Sequence, residues 1–314
     1  MCRLNMTATC IVCTANNRRQ NMLKKIASAL AESPLLRSGQ EIWLKNTGNW
    51  NLPLSKFQKL AAGAYIILRD YADGRFPPTF EDQQKAYDAE VDYRNSLPGL
   101  SPEQVRMYDM QKPFWYGPKT RYYFRQFIDV TEAFLRCGVK PGAHLLELGC
   151  GTGWMAEFLA LMGFDCLGTT ISPADVKDAL TRKQSIEVKG LAARLDYKVS
   201  PMESVAENLK AEGLFDAVFI FEALHHAYDW RKTINSAYDC VKPGGLFFLF
   251  HEPNRVHTAV SYRMARLSNT HEIGFSPAAL VRQMKDSGFK DVRHLKNRFH
   301  FSILPLTIVG RKPE

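Results

Sequence analysis

Two adjacent histidines, His225 and His226, follow the apolar run Phe215–Phe221 and are the first candidates for acid–base chemistry. An imidazole with an unperturbed pKa of about 6.5 can accept a proton at neutral pH, so either histidine could deprotonate a hydroxyl or an amine. The alternative is that both histidines only orient their loop through hydrogen bonds. Of the two, we assign the base role first to His226.

A glycine-rich turn, Glu147-Leu-Gly-Cys-Gly-Thr-Gly153, joins a short apolar run to a helical pattern of apolar residues. Glycines let backbone N–H groups approach a ligand closely, and the start of a helix favours negative charge there. The dinucleotide fingerprint places its third glycine one residue later than Gly153. Glu147 would also repel a phosphate, whereas it suits a ligand that carries an ammonium or sulfonium group. The turn therefore favours a cationic ligand over a dinucleotide.

Strand and helix patterns alternate from residue 144 onward, which predicts an α/β fold with a mostly parallel sheet and helices on both faces. The expected strands are 144–149, 165–170, 195–200, 215–221, 245–251, 289–296 and 302–311. The expected helices are 153–162, 173–188, 203–211, 229–241 and 276–287. Ligands of doubly wound sheets bind beyond the carboxyl ends of the strands, so the segment that ends in the paired histidines should border the site.

At the glycine turn the chain resembles the class I S-adenosylmethionine-dependent methyltransferases, whose first motif reads much like Glu147–Gly153. The resemblance implies a Rossmann-like, doubly wound sheet of seven strands in which the last strand is antiparallel. It also implies S-adenosyl-L-methionine as the cofactor and S-adenosyl-L-homocysteine as the product. In that family the turn holds the methionine part of the cofactor, which gives this role to Glu147, Gly149, Cys150, Gly151, Thr152 and Gly153.

The ends of the second and third strands carry further cofactor contacts that the resemblance implies. Thr170 stands where the family has an acid for the ribose hydroxyls, and Ile171 would pack on the adenine face. Pro201 occupies the place of an acid that binds the adenine amino group. This departure leaves Met202 and Glu203 as the candidates for the adenine contact.

Two more segments are expected to border the cofactor or the acceptor. Phe221 and Glu222 end the fourth strand, in a stretch that resembles the family's fourth motif but lacks the Asp/Asn-Pro-Pro-Tyr form used for adenine or glutamine nitrogens. In related methyltransferases the segment before the first strand folds over the cofactor. Here that segment contains Tyr116, our candidate for a cofactor contact, and Trp115, a candidate for substrate binding.

Residues 252–275 form a long connection after the fifth strand, and connections of that length are uncommon unless they are functional. This segment follows the carboxyl end of a strand, so it can close over the substrate. Its arginines would suit a carboxylate or a phosphate, although they also fit a solvated helix face. The substrate-binding candidates of this segment are Arg255, Tyr262, Arg263 and Arg266.

Composition limits the class of protein and the cellular compartment that fit this chain. The chain has 314 residues, 46% of them hydrophobic, which is ordinary for a globular protein with a real core. No apolar run approaches the ~20 residues of a membrane span. Seven thinly spread cysteines indicate a reducing, cytoplasmic setting. The formal net charge is +9, with bases concentrated in residues 1–50 and 251–314, where they would either solubilise the surface or attract an acidic partner.

The sequence predicts three segments. Residues 1–20 are expected to be a disordered basic tail, residues 21–113 a helical N-terminal extension, and residues 114–314 the methyltransferase domain. The extension shows mostly helical spacing and carries no motif. It would either cap the acceptor pocket or form a homodimer contact.

The function predicted from these features is methylation of an oxygen or a nitrogen of a small-molecule acceptor, an anionic metabolite being one option. In-line transfer mainly requires alignment of the reacting atoms in a dry pocket, and no paired carboxylates resemble a magnesium site, so we expect no metal. Three alternatives stay open: an RNA methyltransferase, a lipid-acting enzyme similar to the cyclopropane fatty acid synthases, and a relative that binds the cofactor without catalysis. We rank all three, including nucleic acid as the acceptor, below methylation of a small molecule.

Overall fold

The computed structural model describes residues 6–49, 52–76, 82–95, 100–115, 117–191, 194–272, 274–296 and 305–314. Contacts divide the chain into two compact units. The first unit falls within residues 1–81 and 259–268, and the second within residues 82–258 and 269–314. Residues 82–113, which we predicted to belong to the N-terminal extension, group with the second unit in this division.

Seven strands form one sheet in the second unit. They are β1 (His144–Leu148), β2 (Asp165–Thr170), β3 (Arg194–Val199), β4 (Phe215–Phe221), β5 (Val241–Glu252), β6 (Lys290–Lys296) and β7 (Leu306–Arg311). Their order is β3-β2-β1-β4-β5-β7-β6, and β7 runs antiparallel to both of its neighbours. The other pairings are parallel. The predicted Rossmann-like sheet with an antiparallel last strand is therefore confirmed.

The described part of the second unit contains three helices that precede the sheet in the chain and others that follow its strands. They are α4 (Gln83–Asn95), α5 (Pro102–Met110), α6 (Pro118–Cys137), α7 (Trp154–Leu161), α8 (Pro173–Val188), α9 (Val205–Asn208), α10 (Trp230–Cys240) and α12 (Pro277–Asp286). A further helix, α11 (Arg255–Ser268), begins in the second unit and continues in the first.

Both faces of the sheet are buried. Leu145 belongs to an apolar layer that includes Phe134 of α6, whereas the adjacent Leu146 belongs to a second layer that includes Ile234 of α10. Successive side chains of a strand point to opposite faces, so a strand covered on both sides needs a continuous apolar run. This requirement explains why β1 and β4 could be recognised in the sequence.

One predicted helix and one predicted connection differ from the structure. The expected helix 203–211 is reduced to the four residues of α9, flanked by short 3-10 turns. The expected long connection 252–275 contains α11, whose first turn is capped by Asn254, since the Val256 N–H donates to the Asn254 Oδ1 at 2.9 Å. The many polar residues of α11 concealed its helical period.

The first unit is helical and contains α1 (Met6–Ala31), α2 (Arg37–Gly48), α3 (Lys56–Ala72) and the later part of α11. Residues 6–20, for which we predicted a disordered tail, lie within α1. A capping box starts α3, because Ser55 and Gln58 each accept a hydrogen bond from the backbone N–H of the other. Tyr65 of α3 and Tyr262 of α11 share a small apolar core. None of the described helices is both long enough and apolar enough to cross a bilayer.

Candidate active site

A cavity of about 360 Å³ lies at the carboxyl ends of the central strands of the second unit. Eight residues that we predicted from the sequence line it: Gly149, Gly151, Thr170, Ile171, Met202, Glu203, Glu222 and His226. They follow β1, β2, β3 and β4 in turn. The topology of the sheet therefore brings together segments that are up to 77 residues apart in the chain.

The turn after β1 requires glycine for two reasons. Gly149, Gly151 and Gly153 adopt positive φ angles of 75°, 53° and 76°, a backbone conformation that other residues rarely accept. A Cβ on Gly149 would also lie 2.5 Å from the Cβ of Ala223, in the loop after β4. At Gly153 the added Cβ would overlap the ring of Tyr197, whose hydroxyl donates to the Gly153 carbonyl at 2.8 Å.

Glu147 lies beneath the turn and does not face the cavity. Its Oε2 accepts a hydrogen bond from the Ala156 N–H at 3.0 Å, which joins β1 to the first turn of α7. Burial raises the pKa of Glu147 to about 8, although the hydrogen bond from Ala156 opposes the shift. At neutral pH this carboxyl is mostly protonated, so it offers a cationic ligand less charge than we expected from the sequence.

Replacing Glu147 by Gln is expected to change how stability depends on pH. The folded pKa of about 8 exceeds the ordinary value of 4.5, so the folded chain holds a proton that the unfolded chain releases. The resulting stabilisation is complete below pH 4.5 and is lost as the pH rises to 8. Relative to Glu147→Gln, the wild-type free energy of unfolding should fall by up to about 1.4 kcal/mol per pH unit in this range. Denaturant titrations of both proteins at several pH values measure this slope, and parallel curves would contradict the raised pKa.

His226 lies between carboxylates from two other segments. Its Nδ1 is 3.0 Å from the Glu90 Oε2 of α4, and its Nε2 is 3.8 Å from the Glu272 Oε1. Burial alone would lower the pKa of His226, but Glu90 and Glu272, with a smaller effect from Glu252, raise this pKa to about 9. Burial alone would likewise raise the pKa of Glu272, yet His226 and a hydrogen bond with His257 lower it to about 2. The free protein thus holds His226 protonated at neutral pH.

His225 is oriented by Glu252, a completely buried residue at the end of β5. The Oε1 of Glu252 accepts hydrogen bonds from the N–H groups of Ala223 and Leu224 at 3.0 and 2.9 Å, and its Oε2 lies 3.0 Å from the His225 Nδ1. One carboxylate therefore fixes the loop after β4 together with the first histidine. We missed Glu252 in the sequence, where its place at a strand end was the available signal.

Three side chains of this network could also hold a metal ion. His225, His226 and Glu272 bring one donor atom each to within 4.8 Å of one another. All three already interact with protein groups, as described above for Glu90, Glu252 and His257. The expectation that the enzyme needs no metal stays a prediction.

The cavity wall also contains residues of α4 and α5 that we did not predict. The many polar residues of segment 80–93 suggest an exposed surface, but in the described part of that segment Tyr87, Glu90 and Val91 line the cavity. Their spacing of three and four residues places them on one helix face, which was the available signal. The Tyr87 hydroxyl donates to the Glu203 Oε2 at 2.8 Å and so connects α4 to the segment after β3.

Several predicted site residues lie outside the cavity wall of the described structure: Trp115, Glu147, Cys150, Thr152, Gly153, Phe221, His225 and Arg255. Phe221 packs edge-on against Trp154, with ring centroids 5.9 Å apart. Trp115 packs against Tyr108, a cavity residue, with centroids 4.5 Å apart. Tyr116, our candidate for the cofactor contact before β1, lies outside the described residues.

The three remaining substrate-binding candidates have partners within the first unit. Asp70 accepts hydrogen bonds from the Tyr262 hydroxyl and the Arg266 Nε, both at 2.8 Å. Arg263 is buried and donates to the side-chain oxygen of Asn46. These contacts join α11 to α3 and α2, so the structure explains all three residues by a role in holding the first unit together.

Comparison with known proteins gives the family of the chain. A family model described as a methyltransferase domain matches residues 120–294, more than half of the chain. The chain is 36% identical over 109 residues to the ubiquinone biosynthesis O-methyltransferase of Xanthomonas campestris, which covers 35% of this chain and 43% of that protein. With the protein of the same name from Sinorhizobium medicae it shares 33% over 164 residues, covering 48% and 63%. The chain thus spans about half the length of these curated relatives.

A solved structure extends the comparison to the fold. The magnesium protoporphyrin IX methyltransferase of Synechocystis PCC 6803, with bound S-adenosylhomocysteine, superposes with a TM-score of 0.54 at 18% identity, covering 72% of this chain and 99% of that chain. At this identity the likeness shows the fold alone. The matched domain, the strand order and the glycine turn together place the chain in the superfamily of class I S-adenosylmethionine-dependent methyltransferases.

Proposed function

We propose that this protein transfers a methyl group from S-adenosylmethionine to a hydroxyl of a small-molecule acceptor. The observation that carries the proposal is the composition of the cavity wall beside the glycine turn. Five carboxylate side chains line the described cavity: Glu90, Asp109, Asp175, Glu203 and Glu222. The basic residues among its described lining are Lys112 and His226. Such a wall favours a ligand with positive groups, and S-adenosylmethionine carries a sulfonium and an ammonium.

The residues of the wall divide among the parts of this cofactor. The turn at Gly149 and Gly151 would receive the methionine part, with Glu222 as the carboxylate for its ammonium group. Ile171 and Met202 would pack on the adenine. Bound there, S-adenosylmethionine supplies an activated methyl group, and the chain contributes binding, alignment and exclusion of water.

Asp175 is proposed to supply the carboxylate that the end of β2 lacks. It lies in the first turn of α8, is buried and lines the cavity five residues after Thr170. A carboxylate accepts hydrogen bonds from ribose hydroxyls more strongly than a threonine hydroxyl does. Because it belongs to a helix and not to the strand end, sequence analysis missed it.

Replacing Asp175 by Asn should weaken S-adenosylmethionine binding about tenfold or more, since a hydrogen bond to a charged group contributes about 1.5–3 kcal/mol. Asp178→Asn is the matched control, because Asp178 lies on the same helix and pairs with Arg106. Calorimetric titration of both variants measures the effect. Equal losses in the two variants would show that the helix, and not a ribose contact, is responsible.

The proposed acceptor group is a phenol-like hydroxyl. Neutral His226, with its pKa of about 9, is a base of strength comparable to a phenolate, whose pKa is about 10 in tyrosine. The free energy of transferring a phenolic proton to neutral His226 is therefore close to zero, which suits general base catalysis. The names of the two curated relatives, both O-methyltransferases, support the same choice. The acidic wall gives little support to an anionic acceptor, so we propose a neutral one.

Incubation with methyl-labelled S-adenosylmethionine and a set of acceptors tests this function. Mass spectrometry should find methyl ethers of phenols and catechols, and no product from matched amines, carboxylic acids or RNA. Product from RNA or amines in place of phenols would contradict the proposal. Turnover should be unchanged in EDTA, whereas a loss that magnesium or zinc restores would assign an ion to His225, His226 and Glu272.

We also propose a cytoplasmic location for this reaction. Cys137, Cys150, Cys166 and Cys240 form no disulfide, as expected in a reducing compartment. Burial raises the pKa of the Cys166 thiol, and it raises that of Cys240 to about 12, which keeps both thiols protonated and unreactive.

A further inference from the structure

The first unit carries almost all of the net charge of the protein. Residues 1–81 and 259–268 contain 13 lysines and arginines against five acidic residues, which gives +8 of the formal +9. The second unit, although more than twice as long, is close to neutral. A positive charge concentrated in so short a part of the chain attracts anionic surfaces.

The same unit exposes large apolar side chains in a helical pattern. The pattern on α1, here called the α1 stripe, consists of Met22, Leu23, Ile26 and Leu30, each at least 40% exposed. Three of these residues recur at every fourth position and so lie on one face of the helix. The small residues Ala27 and Ala31 of α1 are buried instead. From residue 19 on, where its side chains are described, this helix therefore presents its larger apolar residues to the solvent, the reverse of an ordinary surface helix.

The other helices of the first unit repeat this exposure. Leu35 before α2, Leu44 within α2 and Phe57 at the start of α3 are 85%, 61% and 76% exposed. A single exposed apolar residue is ordinary in a folded protein, but several in one small, basic unit indicate an interaction surface.

We propose that the first unit docks the protein on an anionic lipid surface. The α1 stripe would enter the boundary between headgroups and acyl chains, while the exposed Arg19 and Lys25 beside it would contact lipid phosphates. Amphipathic helices bind membranes through this combination of buried apolar area and attraction to anionic lipids. The proposal concerns docking alone and does not depend on the methyl transfer proposed above.

Two other occupants of this surface are less favoured by the same observations. A nucleic acid would engage the basic residues but would gain nothing from the α1 stripe. A second copy of the chain would bring two units of charge +8 together, and like charges at short distance repel. An anionic lipid surface uses both the charge and the apolar residues.

Sedimentation of the full chain with vesicles tests the proposal. We expect binding to phosphatidylcholine vesicles that contain phosphatidylglycerol, none to pure phosphatidylcholine, and weaker binding as salt screens the charges. The triple variant Met22→Ser, Ile26→Ser, Leu30→Ser should bind the anionic vesicles about tenfold or more weakly. Because the three side chains are exposed, its unfolding temperature should match the wild type.

The matched control is the double variant Leu135→Ser, Val188→Ser, which removes two exposed apolar residues from the second unit. Its vesicle binding should equal that of the wild type. Undiminished binding by the triple variant, or absence of binding to anionic vesicles, would overturn the proposal. Salt-sensitive binding to RNA that the triple variant retains, without lipid binding, would assign the surface to nucleic acid. A dimer in sedimentation velocity that the triple variant abolishes, again without lipid binding, would assign it to a second copy.

Discussion

The Gly149→Ala variant is expected to bind S-adenosylmethionine about a hundredfold more weakly than the wild type while it remains folded. A left-handed backbone conformation costs a residue with a Cβ about 1–2 kcal/mol, and Gly149 has a φ of 75°. Its new Cβ would also meet the Cβ of Ala223 at 2.5 Å. Both segments line the cavity, so their separation would distort the surface on which we place the methionine part of the cofactor.

Gly138→Ala separates the effect on binding from the effect of backbone strain. Gly138 has a φ of 79° in the left-handed region, close to that of Gly149, but a Cβ there meets no atom within 4 Å. The unfolding temperature of Gly138→Ala should fall by about as much as backbone strain alone lowers it in Gly149→Ala. Its affinity for the cofactor should be unchanged. Calorimetric titration and thermal unfolding of both variants provide the comparison. Wild-type affinity in Gly149→Ala, or equal loss of affinity in the two variants, would show that the turn is not the binding site.

The second large effect is expected for His226→Gln, which should lower kcat about 10²- to 10⁴-fold, the usual contribution of a general base. The affinity for S-adenosylmethionine should stay close to the wild-type value, since glutamine keeps a polar side chain in the cavity wall. His144→Gln is the control, because His144 lies at the amino end of β1. Steady-state kinetics with a phenolic acceptor measure both constants. Near-normal turnover of His226→Gln would remove the base role.

The pH dependence gives the base role a separate signature. The groups around His226 raise its pKa to about 9, so the neutral form that accepts a proton becomes abundant as the pH rises through this value. The wild-type kcat/KM should therefore increase with pH and level off above about pH 9, and this limb should be absent in His226→Gln. Glu90→Gln removes the carboxylate 3.0 Å from the Nδ1 and should move the midpoint to lower pH. A flat wild-type profile from neutral pH upward would contradict this assignment.

The strands that carry the site could be predicted because their signal is local. β2 and β4 have the predicted bounds, and β1 ends one residue early. β1 and β4 are mostly apolar, and a glycine lies two residues before the start of each of the three strands. The glycine turn is likewise local, because positive φ angles at alternate residues call for glycine itself. The position of ligand sites beyond strand ends then follows from the topology of doubly wound sheets.

The parts that could not be predicted depend on contacts between distant segments. Glu90 and His226 are 136 residues apart, and nothing in the sequence of α4 indicates this pairing. Arg266 is a second example, because its position after a strand end suggested an anion site, and the sequence gives no sign of the partner that it has in the structure. Its partner Asp70 lies on α3, almost two hundred residues earlier in the chain. A charge in the sequence thus predicts an ionic contact but does not identify its partner.

Calorimetric titration of the purified protein with S-adenosylmethionine, with NADH as the control ligand, tests the central claim most directly. The cavity at the strand ends, its glycine turn and its carboxylates predict one binding site with a dissociation constant in the micromolar range, and no heat with NADH. Absence of S-adenosylmethionine binding, or equal binding of both ligands, would contradict the assignment of this cavity to the cofactor.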